Sequence, residues 1–216
     1  MHYLWDMLKP ALSLIALGAA AVSTALSAMP PPETWEIGPQ IRGRNYSVGM
    51  SSHPSVTSKG EPTFAFPQRG QIDALTTAVG PLAGARKITF RYRIDAVSDA
   101  RFVSSETPAE TPTVSLYFQQ AGDNWSGRGR YASYRWYVPR RAVIPLSPGE
   151  HSVTVRLDET WTNVNGTPNT QDPQGFASAL ANTGRIGVAF GTSSARSHGV
   201  YATGAARFTL LGLETT

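Results

Sequence analysis

The sequence predicts an all-β fold, an antiparallel β-sandwich with one short helix, occupying residues 29–216. Three observations carry that expectation. Apolar and polar residues alternate in nearly every regular segment. Turn-forming glycine, proline and asparagine clusters separate those segments. The 216 residues include no cysteine, so stability has to come from burial and not from disulfides or thiolate-bound metal.

Taken in order, the stretch 45–67 is rich in glycine, proline and serine and reads as loops around short strands such as Thr63 to Phe66, followed by Ile72 to Thr77. In Arg86 to Asp95 the apolar set Ile88, Phe90, Tyr92 and Ile94 alternates with Lys87, Thr89, Arg91 and Arg93, so one face is buried and the other wet. The same rhythm places Val114, Leu116 and Phe118 inward in Thr113 to Gln119, and Tyr134, Trp136 and Val138 inward in Ser133 to Val138. It recurs in Ser152 to Leu157 (Val153, Val155, Leu157) and in Arg185 to Phe190 (Ile186, Val188, Phe190). The last strand, Ala206 to Glu214, keeps the pattern through Phe208 and Leu210 and breaks it at Leu213, which predicts a bulge near Leu211-Gly212. Turns are expected at Ala121 to Asn124, Ser147-Pro148-Gly149 and Asn165-Gly166, with a polar loop from Asn169 to Gln174. The one helix expected runs from Pro173 to Ala181. Asp172 can cap it, Pro173 suits the first helical position, and Phe176 and Leu180 are four apart.

Residues 1–28 follow other rules. An uncharged, mostly apolar run from Ala11 to Val22 follows Lys9 and precedes small residues from Ser23 to Ala28, the layout of a secretory signal cut between 25 and 28. A retained anchor would need about 20 strongly apolar residues, whereas alanine, serine and glycine dilute this stretch. The expectation is therefore an exported protein, periplasmic or extracellular, with no membrane span after cleavage. Pro30 to Pro32 make an extended start.

Of the nineteen basic residues sixteen are arginine, and the net charge is +4. Arginine forks pair with carboxylates and stack on rings, which suits acidic glycans or anionic surfaces as partners, although a general preference for arginine over lysine gives the same count. The basic residues form no continuous stripe of the kind nucleic acid requires.

The second half of the chain contains Tyr134-Arg135-Trp136-Tyr137, Gly149-Glu150-His151 leading into Val153 to Asp158, Trp161-Thr162-Asn163-Val164, Gly184-Arg185-Ile186-Gly187 and Arg207-Phe208-Thr209-Leu210. As a pattern of strands and turns over Gly70 to Glu214 this resembles the galactose-binding-like jelly rolls found in many carbohydrate-binding modules. The resemblance implies two antiparallel sheets, a structural calcium ion in many members, and sugar binding on a concave sheet face or on loop tips. The spacing of Asp95, Asp99, Asp123 and Asp158 selects no calcium ligands.

The chemistry of catalysis is largely missing. His53, His151 and His198 show no metal-ligand spacing, no Gly-x-Ser-x-Gly elbow occurs, and no glycine-rich phosphate loop is present. Some polysaccharide lyases are also jelly rolls and resemble this chain in size, strand content and arginine usage. Their Gln-Ile-His element has only Gln71-Ile72-Asp73 as a counterpart here, and Tyr117-Phe118-Gln119 matches their tyrosine strand in part. A third class is an envelope or adhesion component that binds protein, for which Leu211 is the one misplaced aliphatic.

The candidate site residues are those the alternation turns outward: Tyr117 and Gln119, Arg135 and Tyr137, Arg91 and Arg93, with Trp125 in the loop from Gly122 to Gly127. Aromatic faces stack on the C–H faces of sugar rings, while arginine and glutamine hydrogen-bond hydroxyls or a carboxylate. Two roles are open to Trp125, a platform at the loop tip or a plug folded over the sheet edge. Trp136 and Trp161 are expected in the core, with Trp35 either there or in the opening strand. If the strands of Tyr117 and Tyr137 lie in opposite sheets, only one of the two can belong to a site.

Overall fold

The computed structural model describes residues 29–216; the expected export signal lies outside the described residues. The elements in chain order are β1 (Trp35–Gly38), β2 (Gln40–Ile41), β3 (Arg44–Asn45), β4 (Ser55–Val56), β5 (Pro62–Ala65), β6 (Ala74–Ala78), β7 (Lys87–Ala96), β8 (Phe102–Ser104), β9 (Thr113–Gln120) and β10 (Arg135–Tyr137). They continue with β11 (Ile144–Pro145), β12 (Gly149–Arg156), β13 (Thr162–Asn163), α1 (Pro173–Ala181), β14 (Thr183–Gly191), β15 (Val200–Ala202) and β16 (Ala206–Thr215). The fold is the expected all-β sandwich with one α-helix. A seven-stranded sheet runs β1-β6-β14-β9-β10-β13 with β11 also on β9, and a five-stranded sheet runs β12-β7-β16-β5-β4. All these pairings are antiparallel, and the chain crosses repeatedly between the sheets.

Alternation decides which side chains meet between the sheets. Leu75, Ile186, Val188, Val114, Leu116, Phe118 and Trp136 come from the larger sheet and Ile88, Phe90, Tyr92, Ile94, Phe208 and Leu210 from the smaller, all in one buried cluster. Burying each large apolar side chain contributes about 1.5–3 kcal/mol. Rings from both sheets interlock: Phe64 stacks on Phe208 at 5.1 Å between centroids, and Phe190 meets Phe208 edge-on at 5.4 Å. Trp35, Trp136 and Trp161 are all core residues, each with its indole N–H bonded to a backbone carbonyl. The ladder of β16 with β7 slips between Leu210 and Gly212, which is the expected bulge.

The helix has the expected bounds. The Asp172 carboxylate accepts from the Gly175 N–H, Pro173 stands in the first turn, and Phe176 fits among Phe118, Trp136 and Trp161. The helix thereby packs against β9 and β10. Among the described residues no helix is long and apolar enough to cross a membrane.

Candidate functional site

The face of the seven-stranded sheet that points away from the core carries two rows in register. One row reads Thr76, Gly187, Tyr117, Tyr137 across β6, β14, β9 and β10, and the next reads Ala78, Arg185, Gln119, Arg135. Tyr117 and Tyr137 are therefore cross-strand partners in one sheet, not residues of opposite sheets. Nor are the four candidates wet: Tyr117, Gln119, Arg135 and Tyr137 are 0, 2, 3 and 4% exposed. Alternation identifies the face a side chain occupies, and two loops then cover that face. Trp125, from the loop after β9, meets the Tyr117 ring edge-on at 5.9 Å, Tyr137 stacks on Tyr117 at 5.5 Å, and the Arg196 guanidinium lies 5.3 Å from the Tyr137 ring centre.

Trp125 takes up a position between the two expected roles. It packs on the outer face, remains partly exposed, and carries the Arg135 guanidinium 4.2 Å from its ring centre. Its φ of +67° lies in the left-handed region, where a non-glycine residue is strained and has to be held. Asp123 does the holding. Its Oδ1 accepts the Trp125 N–H at 3.1 Å, and its Oδ2 accepts from Gln119 Nε2 and Arg135 Nη1, both at 2.9 Å. The Arg135 and Asp123 side chains are 4 and 2% exposed. Three polar atoms here remain buried without a partner: the Tyr117 hydroxyl, Gln119 Oε1 and Arg135 Nε. Burial, with the neighbouring Tyr137, holds the Tyr117 phenol protonated far above its ordinary range, so its hydroxyl stays a donor.

Beside this cluster the sheet face opens into a cleft of about 1030 Å³. Its floor is Thr76, Ala78, Gly184 and Arg185. One wall is the β2–β3 hairpin, whose two-residue turn Arg42-Gly43 has positive φ at both positions, the geometry that matches strand twist. The other wall is the loop from Gln120 to Ser126, and it can approach the floor because Gly184 has no Cβ; one there would lie 2.9 Å from Ala121 Cα. Arg185 forks onto Glu36 at 2.6 and 3.0 Å, with side chains 39 and 34% exposed, so a charged pair faces the opening. Tyr46, 41% exposed, stands on the hairpin wall with Arg44 5.2 Å from its ring centre.

Arg91 and Arg93 do not join this site. They are on β7 in the other sheet, on the opposite outside of the sandwich, where Arg91 pairs loosely with Glu214 at 3.8 Å and Arg93 with Asp95 at 3.0 Å. Alternation turns them outward but does not say outward from which sheet. Glu36, Tyr46, Asp123 and Arg185 were not among the candidates. Only Arg185 carried a signal, its outward parity in the strand Arg185 to Phe190. Among the described residues no three histidine, aspartate or glutamate side chains gather to hold a metal ion.

No family model matches this chain, and no curated protein does. Among solved structures it is similar to the xylan-binding module CBM15, at 13% identity and a TM-score of 0.42 over 88% of this chain and 97% of that one. It is also similar to CBM28, a carbohydrate-binding module specific for non-crystalline cellulose, at 13% identity and a TM-score of 0.42 over 92 and 94% of the two chains. A third match is Xylanase10C from Cellvibrio japonicus in complex with xylopentaose, at 14% identity and a TM-score of 0.38, over 85% of this chain and 28% of the xylanase. What those proteins bind is said of them alone.

Proposed function

We propose that this protein is an exported carbohydrate-binding β-sandwich that holds a glycan in the cleft between Tyr46 and Trp125. The observation that carries this is the make-up of the cleft: two partly exposed aromatic rings on opposing walls, above a sheet floor bearing the Arg185–Glu36 pair. Sugar rings offer apolar C–H faces to aromatics and hydroxyls to fixed polar groups. A floor set on β-strands is already ordered, so little entropy is lost on binding. The expected reading of residues 1–28 as a signal puts the protein in the periplasm or medium, where glycans are encountered.

Binding fits the electrostatics better than bond cleavage. Both carboxylates lining the cleft are engaged by guanidinium groups, Glu36 by Arg185 and Asp123 by Arg135. General acid–base work needs a carboxyl free to exchange its proton near the operating pH. The matches to lyase elements fit no better, because Tyr117 is fully covered and Asp73 is buried outside the cleft lining.

A glycan array on residues 29–216, followed by titration calorimetry on the best ligand, tests this. Tyr46→Ala removes an exposed wall and should weaken binding about tenfold while leaving Tm almost unchanged, since an exposed side chain contributes little to folding. Trp125→Ala should weaken binding by about 1–3 kcal/mol and also lower Tm by a few degrees, because the ring covers Tyr117. Absence of binding across the array, or unchanged affinity in both variants, would refute the assignment.

A further inference from the structure

The row of rings that starts at the cleft wall does not stop at Tyr117. It continues through Tyr137 to Arg196, in the loop between β14 and β15, whose guanidinium spans Tyr137 and donates from Nη1 to Thr162 Oγ1 at 3.0 Å. Ser197, next in the chain, has φ +60° and is positioned to accept from the Tyr137 hydroxyl at 3.5 Å, so the loop is held in a strained conformation against the sheet face.

The two arginines that line the other end of this face each have an acid. Arg135 has Asp123 and Arg185 has Glu36. No carboxylate of the described residues pairs with Arg196, and the charged side chain that acts on it is a second cation, Arg140. Burial pulls the Arg196 guanidinium below its ordinary pKa, Tyr137 opposes it, and Arg140 adds a smaller pull in the same direction as burial. A partly desolvated cation that lacks a counter-ion is costly to keep, and an anion supplied from outside would relieve that cost. The guanidinium fork matches a planar carboxylate in two parallel hydrogen bonds.

We propose that Arg196, with Arg140 beside it, is a subsite for a carboxylate carried on the bound glycan, so that uronate-bearing chains are preferred over neutral ones. This rests on the cleft reading above: Trp125, which covers Tyr117, and Arg196, which covers Tyr137, are both partly exposed, so a chain leaving the cleft over Trp125 would reach Arg196 across the tops of the two covers.

Calorimetry with polygalacturonate, glucuronoxylan and alginate oligosaccharides, each beside its carboxyl-reduced form, gives the test. At least one acidic form should bind about tenfold or more tightly than its reduced form, the scale of a charge-assisted hydrogen bond, and added salt should narrow the gap. Arg196→Gln should abolish the preference while leaving affinity for the reduced form in place, and Arg196→Lys should restore part of it. Arg140→Gln changes an exposed residue and should narrow the preference by a few fold. Equal binding of acidic and reduced forms, binding of neutral array glycans alone, or a preference untouched by both glutamine variants would overturn the proposal and leave the cleft reading standing. Binding of no glycan at all, on the array or here, would overturn both.

Discussion

Replacing Asp73 by asparagine is expected to flatten the pH dependence of stability and to make the protein more stable than wild type above pH 7. Asp73, just before β6, is 4% exposed, and burial pushes its carboxyl from the ordinary 3.8 to about 7. The hydrogen bond from Gln71 Nε2 at 2.7 Å pulls the other way, and Glu106, itself paired with His198 at 2.8 Å, pushes it further up. Between pH 4 and 7 the folded chain therefore keeps a proton that the unfolded chain has released. Stability from this group is full below pH 4 and is lost as pH rises to 7, by on the order of 4 kcal/mol over the whole interval. Asparagine keeps an acceptor for Gln71 and removes the proton. Urea unfolding of both proteins at pH 4, 5.5, 7 and 8.5 should give curves that coincide at low pH and separate upward for the variant. A constant difference at all four values would show that Asp73 ionises freely in the folded state.

Strand positions could be read from the sequence because burial of one face writes itself as a period of two. The run Ile88, Phe90, Tyr92, Ile94 and the bulge at Leu210–Gly212 follow from that alone. The helix was legible because Asp172-Pro173 carries its own start signal. Parity also assigned Tyr117, Gln119, Arg135 and Tyr137 to the right side of their strands. What it could not say is what lies above them, since every residue from Thr113 to Gln119 is buried once loops cover the second face.

The remainder of the site depends on contacts between distant parts of the chain. Glu36 and Arg185 are 149 residues apart, and nothing local marks either as the other's partner. Tyr46 is part of a stretch that reads as loop, and only the β2–β3 hairpin turns it into a wall. Arg91 and Arg93 show the reverse failure: correct parity, wrong sheet. Asp123 was visible only as a turn residue, because turn chemistry and the pinning of a charged pair use the same side chain.

That pinning sets up the largest expected loss. In Asp123→Ala the carboxylate that neutralises Arg135 is gone, leaving a 4% exposed guanidinium over Trp125 with no acid beside it. Removing one partner of a buried ion pair costs about 3–5 kcal/mol, because the remaining charge is neither solvated nor paired. Gln119 Nε2 and the Trp125 N–H lose their acceptor as well, so the φ of +67° at Trp125 is left with only the weak bond from Arg135 Nη2 to its carbonyl, at 3.4 Å, on the backbone side. For a domain of this size Tm should fall by roughly 10 °C. The double variant Asp123→Asn, Arg135→Met removes both charges and keeps most of the volume, so it should recover most of that stability, as buried pairs exchanged for uncharged groups commonly do. It should not recover glycan affinity, since the guanidinium that backs the Trp125 ring is missing. Thermal melts and calorimetry on the two variants separate these effects. An Asp123→Ala protein that melts within about 2 °C of wild type would mean that the guanidinium reaches solvent and the pair does not hold the loop.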